Sequence, residues 1–184
     1  LEVGVEPYRA VRTEEREGGV VVETRREGLG NLALRGKLNL WGNDGGPTAL
    51  GVLPFVVLPT SQDGLGADAP EAGVLLPFYL ELPRGFELGM GTGAVWLEDD
   101  AGAGHHPELV NSLTLGRTFG RRLSAYVEFW TLLDPDRPDE WEGTFDFGVN
   151  LWLGPDLKLD AGLNLGVTDA APDWNPFVGV SWRQ

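Results

Sequence analysis

The chain has 184 residues, no cysteine and a formal charge of -14 at pH 7. Disulfides and thiolate metal centres are therefore excluded, and the acidic balance argues against nucleic acid or an anionic membrane surface as an electrostatic partner. No apolar run is long enough for a transmembrane helix, but a transmembrane β-barrel needs only alternating segments of about ten residues. The length fits a single domain, 1–184, and the abrupt start suggests that an N-terminal segment is missing.

Alternation of apolar and polar residues with a period of two recurs along the chain, and no long 3.6-residue period supports helices. This pattern predicts ten strands, at residues 1–12, 28–42, 47–60, 72–82, 85–98, 107–119, 121–133, 142–153, 156–169 and 174–184. A hairpin-like piece, GGVVVETR, is expected to stand above the membrane beside the second strand.

The connections between these strands alternate in length. LELPRGFEL, RTFGRRLS and WLGPDLK turn tightly and WGNDGGPTA is nearly as short, whereas the intervening connections are longer and mostly acidic. Outer-membrane barrels have short turns on the periplasmic side and longer loops outside. The sequence thus predicts an all-β, antiparallel, up-and-down transmembrane barrel of about ten strands.

Each strand has one apolar and one polar row of side chains, as in DLKLDAGLNLGVTD, residues 156–169. A soluble barrel with its apolar row inside would show the same period. The polar row, however, is rich in Gly, Asn, Ser and Thr, and the apolar row is nearly free of charge, which favours a lipid-facing apolar row. Five tryptophans lie near predicted strand ends and suggest interfacial girdles, namely Trp41, Trp96, Trp141, Trp174 and Trp182. The other two, Trp130 and Trp152, fall on the polar row.

Charged residues on the polar row are the candidates to line the lumen. They are Glu2, Glu6, Arg35, Lys37, Glu81, Glu87, Glu128, Asp146, Lys158 and Asp160. Because a barrel of about ten strands has a narrow interior, opposite charges are expected to pair and plug it. The alternative is that the same residues line a narrow polar conduit.

Three segments resemble chemical motifs. EDDAGAGHHPE contains His105 and His106 beside carboxylates, DPDRPDEWE is dense in acids, and GMGTG superficially resembles a phosphate-binding loop. Adjacent histidines point apart, the acidic segment lacks the order of a calcium loop, and no helix follows the glycines. We expect two solvated loops and a close-packed strand, with no enzymatic activity, no metal and no cofactor.

Four pieces of the chain resemble the outer-membrane "transporter" family named for the meta-pathway of phenol degradation. They are GLGNLALRGKLNL, LPFVVLPTS, LSAYVEFW and LKLDAGLNLGVTDAAPDWNPFVGVSW, in the family's order. Asn31 stands where the family usually has Asp, Ser61 where it has Gly, and the chain ends on Gln184 rather than an aromatic residue.

The resemblance implies an outer-membrane barrel that admits small, hydrophobic or aromatic solutes, with lipid or detergent as its surroundings. A structural or adhesive barrel with a plugged lumen and a soluble ligand-binding barrel are the alternatives.

Overall fold

The chain folds into antiparallel β-sheet. The computed structural model describes residues 2–5, 8–17, 20–42, 44–62, 65–99 and 104–183, with side chains from residue 27 onward. The strands are β1 Glu2–Val5, β2 Tyr8–Glu17, β3 Val20–Leu29, β4 Leu32–Arg35, β5 Leu38–Trp41, β6 Thr48–Leu58, β7 Glu71–Leu82, β8 Phe86–Glu98, β9 His105–Phe119, β10 Leu123–Leu133, β11 Glu142–Trp152, β12 Leu157–Gly166 and β13 Trp174–Trp182. In these ranges no helix has the length and apolar character needed to cross a bilayer.

Eleven of these strands form one sheet, in the order β1-β4-β6-β7-β8-β9-β10-β11-β12-β13, with β5 also paired to β6. From β6 onward, neighbours in the chain are neighbours in the sheet, which confirms the up-and-down order. The predicted strands from residue 72 onward are confirmed to within a few residues at each end. The sheet has ten positions, as expected, because β4 and β5 are two halves of one predicted strand.

Pro54 explains why that predicted strand is divided. Arg35 pairs with Phe55 in β4, and Leu38 pairs with Val52 in β5, so the register is continuous across the break. Between these pairs, the amide of Gly36 donates to the carbonyl of Pro54 at 2.9 Å. Proline has no N–H to return the second bond, so the ladder is interrupted there.

The N-terminal region differs most from the sequence prediction. The expected strand 1–12 is wrong: β1 ends at Val5, and β2 begins at Tyr8. β2 and β3 form a separate two-stranded sheet in which Glu17 pairs with Val20. The predicted hairpin-like piece thus belongs to a longer hairpin than expected, because β2 supplies its other strand.

The described strands group into two compact units. The first contains residues 1–37, 53–74 and 95–106, and the second contains 38–52, 75–94 and 107–184. Within the second unit, the connections 42–47, 83–85, 120–122 and 153–156 lie at one end of the strands, which we call the short-turn edge. The connections 134–141 and 167–173 lie at the other end, the long-loop edge.

Candidate functional site: the polar face of the sheet

The two faces of the strands in the second unit differ in exposure, and β11 shows the pattern most clearly. Phe145, Phe147 and Val149 are exposed to 45%, 43% and 47%, whereas Thr144 and Gly148 on the alternate positions are buried and Asp146 is half-buried. Strand residues alternate between faces, so one face carries the exposed apolar side chains and the other the covered polar groups. We call these the apolar face and the polar face.

The leucines of DLKLDAGLNLGVTD lie on the apolar face. Leu159, Leu163 and Leu165 are paired with Leu151, Phe147 and Phe145 of β11. Only four apolar residues in the described side chains are buried, namely Ala33, Leu65, Val95 and Ala171. A soluble barrel with its apolar row inside would bury many large side chains. In the described residues, many large apolar side chains are instead exposed.

Four of the predicted lumen residues meet on the polar face across β10, β11 and β12. Glu128 is paired with Asp146, Asp160 lies opposite Asn150, and Lys158 lies opposite Trp152. Like charges directly opposite each other destabilise a sheet. The opposed carboxylates of Glu128 and Asp146 therefore lower the stability of the sheet. We expect that these two residues have a functional role that outweighs this loss.

The other candidates are more dispersed. Glu81 in β7 and Glu87 in β8 are exposed, and Arg35 and Lys37 are exposed in the first unit. Glu2 is paired with Arg35 in the backbone register of β1 and β4, and Glu6 lies outside the described residues.

The expected charge pairing is not seen for the residues of the second unit. Lys158 Nζ lies 6.0 Å from the centre of the Trp152 ring instead of on a carboxylate. The ion pairs found among the described residues do not involve Glu128, Asp146 or Asp160. In the described residues of the second unit, these three carboxylates are therefore not neutralised by an ion pair.

Two cavities open on the polar face. One, of about 300 Å³, is lined by Trp130, Glu142, Thr144, Asp146, Asn164, Pro172 and Asn175. Oδ1 of Asp146 is buried and has no hydrogen-bond partner in the described part of the chain. A buried, unpaired carboxylate oxygen is rare because it loses its hydration. This cavity thus combines an aromatic wall with acceptors that can bind a solute carrying a hydroxyl or amine donor.

The second cavity, of about 340 Å³, lies nearer the short-turn edge. Its polar lining includes Tyr79, Glu87, Tyr126 and Asn150. Small residues, which include Gly89 and Gly116, also line it. The glycines of GMGTG are close-packed as expected: a methyl group built on Gly91 would lie 2.8 Å from Ser112 Oγ.

The sequence analysis expected both histidines in a loop, but the structure places them at the start of a strand. They open strand β9, where His106 Nδ1 lies 2.7 Å from Asp99 Oδ1 and His105 Nε2 lies 2.9 Å from the carbonyl of Pro70. The two rings therefore point to different partners, as adjacent strand residues must. Both contacts lie within the first unit.

The acidic segment DPDRPDEWE is also more ordered than expected. Asp134 is only 8% exposed, and it accepts hydrogen bonds from the amide of Asp136 at 2.9 Å and from Arg137 Nε at 2.8 Å. Arg137 also reaches Glu140 at 3.1 Å. These bonds fold the connection into a compact turn, so it is not simply a solvated loop.

Sequence reasoning missed several lining residues. Glu142 begins β11, as the predicted strand 142–153 requires, but it was not among the predicted lumen residues, and it lines the first cavity. Asn164 and Asn175 are paired across β12 and β13. Both asparagines lie on the polar row, which could have identified them. They were overlooked because only charged residues of that row were taken as candidates.

Together, the fold and the site define an antiparallel β-sheet protein whose apolar side chains are exposed and whose polar face bears cavities. The model of the family described as "Putative MetA-pathway of phenol degradation" matches residues 3–184. The chain belongs to this family, which confirms the resemblance inferred from its sequence. No curated protein matches the chain.

Proposed function

We propose that the sheet closes into a transmembrane barrel of an outer membrane and that its polar face admits small solutes, without catalysis. The observation that carries this proposal is the exposure of the apolar face. A fully buried aliphatic or aromatic side chain contributes about 1.5–3 kcal/mol relative to an exposed one in water. Phe145, Val149 and Val127 lie in strands with neighbours on both sides and are exposed to 45%, 47% and 39%, so they forgo part of that gain in water but not in lipid.

The length of the strands fits a bilayer. β11 spans 11 residues, which at about 3.3 Å per residue is roughly 36 Å along the strand. A tilt of about 40° brings this length to roughly 28 Å, close to the apolar band of an outer-membrane barrel. A groove of about 440 Å³ has a mostly apolar lining that suits contact with acyl chains; it consists of Val149, Leu151, Leu159, Ala161, Val178 and Val180 together with Asp160 and Gly179.

The polar face supports a conduit for neutral and cationic solutes. In the second unit its predicted lumen residues are five carboxylates and one lysine: Glu81, Glu87, Glu128, Asp146, Asp160 and Lys158. A cleft lined by one sign of charge concentrates ions of the opposite sign. The ring of Trp130 beside the buried oxygen of Asp146 suits a small aromatic ring with a hydroxyl group, in keeping with the family's name.

Conductance across a planar bilayer tests this proposal. The full chain, folded in detergent and inserted, is expected to conduct, and a salt gradient should give a reversal potential that favours potassium over chloride. The Asp146→Asn variant should lose part of this preference because it removes a carboxylate from the polar face. The matched control is Asp136→Asn, which removes an exposed carboxylate from the connection 134–141 and should keep the preference.

Two other results would contradict the proposal in different ways. Folding into bilayers without conductance or flux of a small sugar would indicate a plugged, structural barrel. A chain that stays monomeric in water without detergent would contradict membrane placement itself.

A further inference from the structure

The charges of the second unit are divided between its two edges. The long-loop edge holds six carboxylates and one arginine, namely Asp134, Asp136, Asp139, Glu140, Asp169, Asp173 and Arg137. The short-turn edge instead exposes Arg84, Arg121 and Arg122 in two of its turns. The net charge of the whole chain, -14, hides this division.

The acids at the short-turn edge leave these three arginines available. Asp156 lies 3.6 Å from Arg183, so that pair is internally balanced. Asp44, the other acidic residue in the short-turn connections, lies in the connection 42–47. In the described part of the chain, no carboxylate forms an ion pair with Arg84, Arg121 or Arg122.

Arg84 occupies a backbone conformation that an arginine rarely adopts. Its φ is 67° and ψ is 22°, and the following Gly85 has φ 73°. Two consecutive positive φ angles define a tight hairpin turn in which Asn or Gly is normally preferred. A left-handed conformation costs an ordinary side chain free energy. An arginine at this position therefore indicates a use for its charge.

Arg117 extends the basic edge onto the apolar face. It shares a strand row with Leu113, Leu115 and Phe119. Its guanidinium carbon lies 4.8 Å from the centre of the Phe86 ring and 5.4 Å from that of Phe119. Such an arginine keeps its stem in the apolar layer and its charge at the interface, supported by cation–π contacts.

We propose that Arg84, Arg117, Arg121 and Arg122 form a basic rim that binds the phosphate groups of anionic phospholipids in the leaflet next to the short turns. The inference rests on the proposed membrane placement, because only a bilayer would place a layer of phosphate groups beside the short turns that carry these arginines. Arginine matches phosphate oxygens with paired N–H donors. The partner is the lipid surface rather than free phosphate, since Arg117 lies over the rings of Phe86 and Phe119, which belong to the apolar face that we place in the acyl layer.

Quenching of a single fluorophore by brominated lipid measures this preference at each edge. Because the chain has no cysteine, a label can be attached at Leu123→Cys beside the basic rim or at Leu109→Cys near the other end of the neighbouring strand. Both side chains are exposed on the apolar face, to 42% and 41%. The folded chain is placed in phosphatidylcholine bilayers that contain brominated phosphatidylglycerol or brominated phosphatidylcholine.

The label at residue 123 is expected to be quenched more by the anionic lipid, with up to about a fivefold gain in relative affinity for each engaged arginine. The label at residue 109 should show no such preference. Raising the ionic strength from about 0.01 M to 1 M shortens the screening length from roughly 30 Å to 3 Å. The preference should fall accordingly, while inorganic phosphate at the concentration of the lipid phosphate should not displace the lipid.

Charge variants identify the source of the preference. Combined Arg84→Gln, Arg121→Gln and Arg122→Gln should remove most of it. Combined Asp136→Asn, Asp139→Asn and Asp173→Asn change three charges at the long-loop edge and should leave the signal at residue 123 unchanged.

Three results would overturn the inference: equal quenching by both lipids, a preference that survives the triple arginine variant, or displacement by inorganic phosphate. In each case the proposed function stands if the chain folds in phosphatidylcholine. Failure to fold in any bilayer would overturn both proposals.

Discussion

Replacing Val127 with arginine tests directly whether the apolar face meets lipid. Val127 lies in the middle part of β10, is 39% exposed and is paired with Leu115 and Phe147. An arginine at the bilayer midplane of a membrane barrel costs about 2–4 kcal/mol, and near the interface about 0–1 kcal/mol. In water, the same surface substitution usually changes stability by no more than about 0.5 kcal/mol.

The expected effect of Val127→Arg is therefore a loss of about 2–4 kcal/mol, or roughly a 30- to 900-fold change in the folding equilibrium. Leu123→Arg, at the short-turn end of the same row, should lose about 1 kcal/mol or less. The assay is reversible denaturant unfolding of the chain in vesicles, followed by tryptophan fluorescence and by heat-modifiable migration. Val127→Ala serves as the control for lost side-chain volume.

Depth dependence decides the outcome. If Val127→Arg and Leu123→Arg are equally tolerated, the apolar face does not lie in a bilayer and the reasoning from exposure fails. If both are equally severe, the cost comes from local packing rather than from lipid. Only a large central cost with a small peripheral cost agrees with membrane placement.

Three further substitutions test individual features of the fold in the same unfolding assay. Asn31→Leu should cost about 1–3 kcal/mol because Oδ1 of the buried Asn31 accepts hydrogen bonds from the backbone N–H groups of residues 60 and 61 at 3.1 and 2.9 Å. Asn31→Asp keeps an acceptor oxygen at this position and should cost less; equal losses would contradict this reading. Arg84→Gly should stabilise the turn by about 1 kcal/mol by relieving its positive φ, and a loss of stability would count against strain at Arg84. Gly148→Val should be strongly destabilising because its side chain would overlap the Tyr126 ring, and wild-type stability would show that the ring moves freely.

The strands of the second unit could be predicted because their signals are local. A period of two fixes which side chains share a face, and tight turns such as Pro83–Gly85 mark where a strand ends. The division at Pro54 could have been anticipated, since proline cannot donate a ladder bond. The hairpin-like piece GGVVVETR was predicted, but its pairing with β2 was missed because the polar and charged residues of β2 show little contrast between the two faces.

The candidate site could be predicted only as far as alternation reaches. The row containing Glu128, Asp146 and Asp160 follows from the period, and it is the row that the structure shows. Their cross-strand neighbours depend on register, which turn lengths determine and a single strand does not reveal. Lys158 illustrates this limit: its neighbour Trp152 lies across the turn, and the sequence suggested a carboxylate instead.

The opposition of Glu128 and Asp146 links the energetic cost of this face to its proposed use. A sheet selected only for stability would place a basic residue or a neutral pair at these positions, because like charges opposite each other are unfavourable. If the polar face is a conduit, the same charges attract cations and repel anions. Glu128→Gln should therefore stabilise the folded chain by a few tenths of a kcal/mol to about 1 kcal/mol, while reducing the preference for potassium. Stabilisation without a change in selectivity would show that the pair is not part of a conduit.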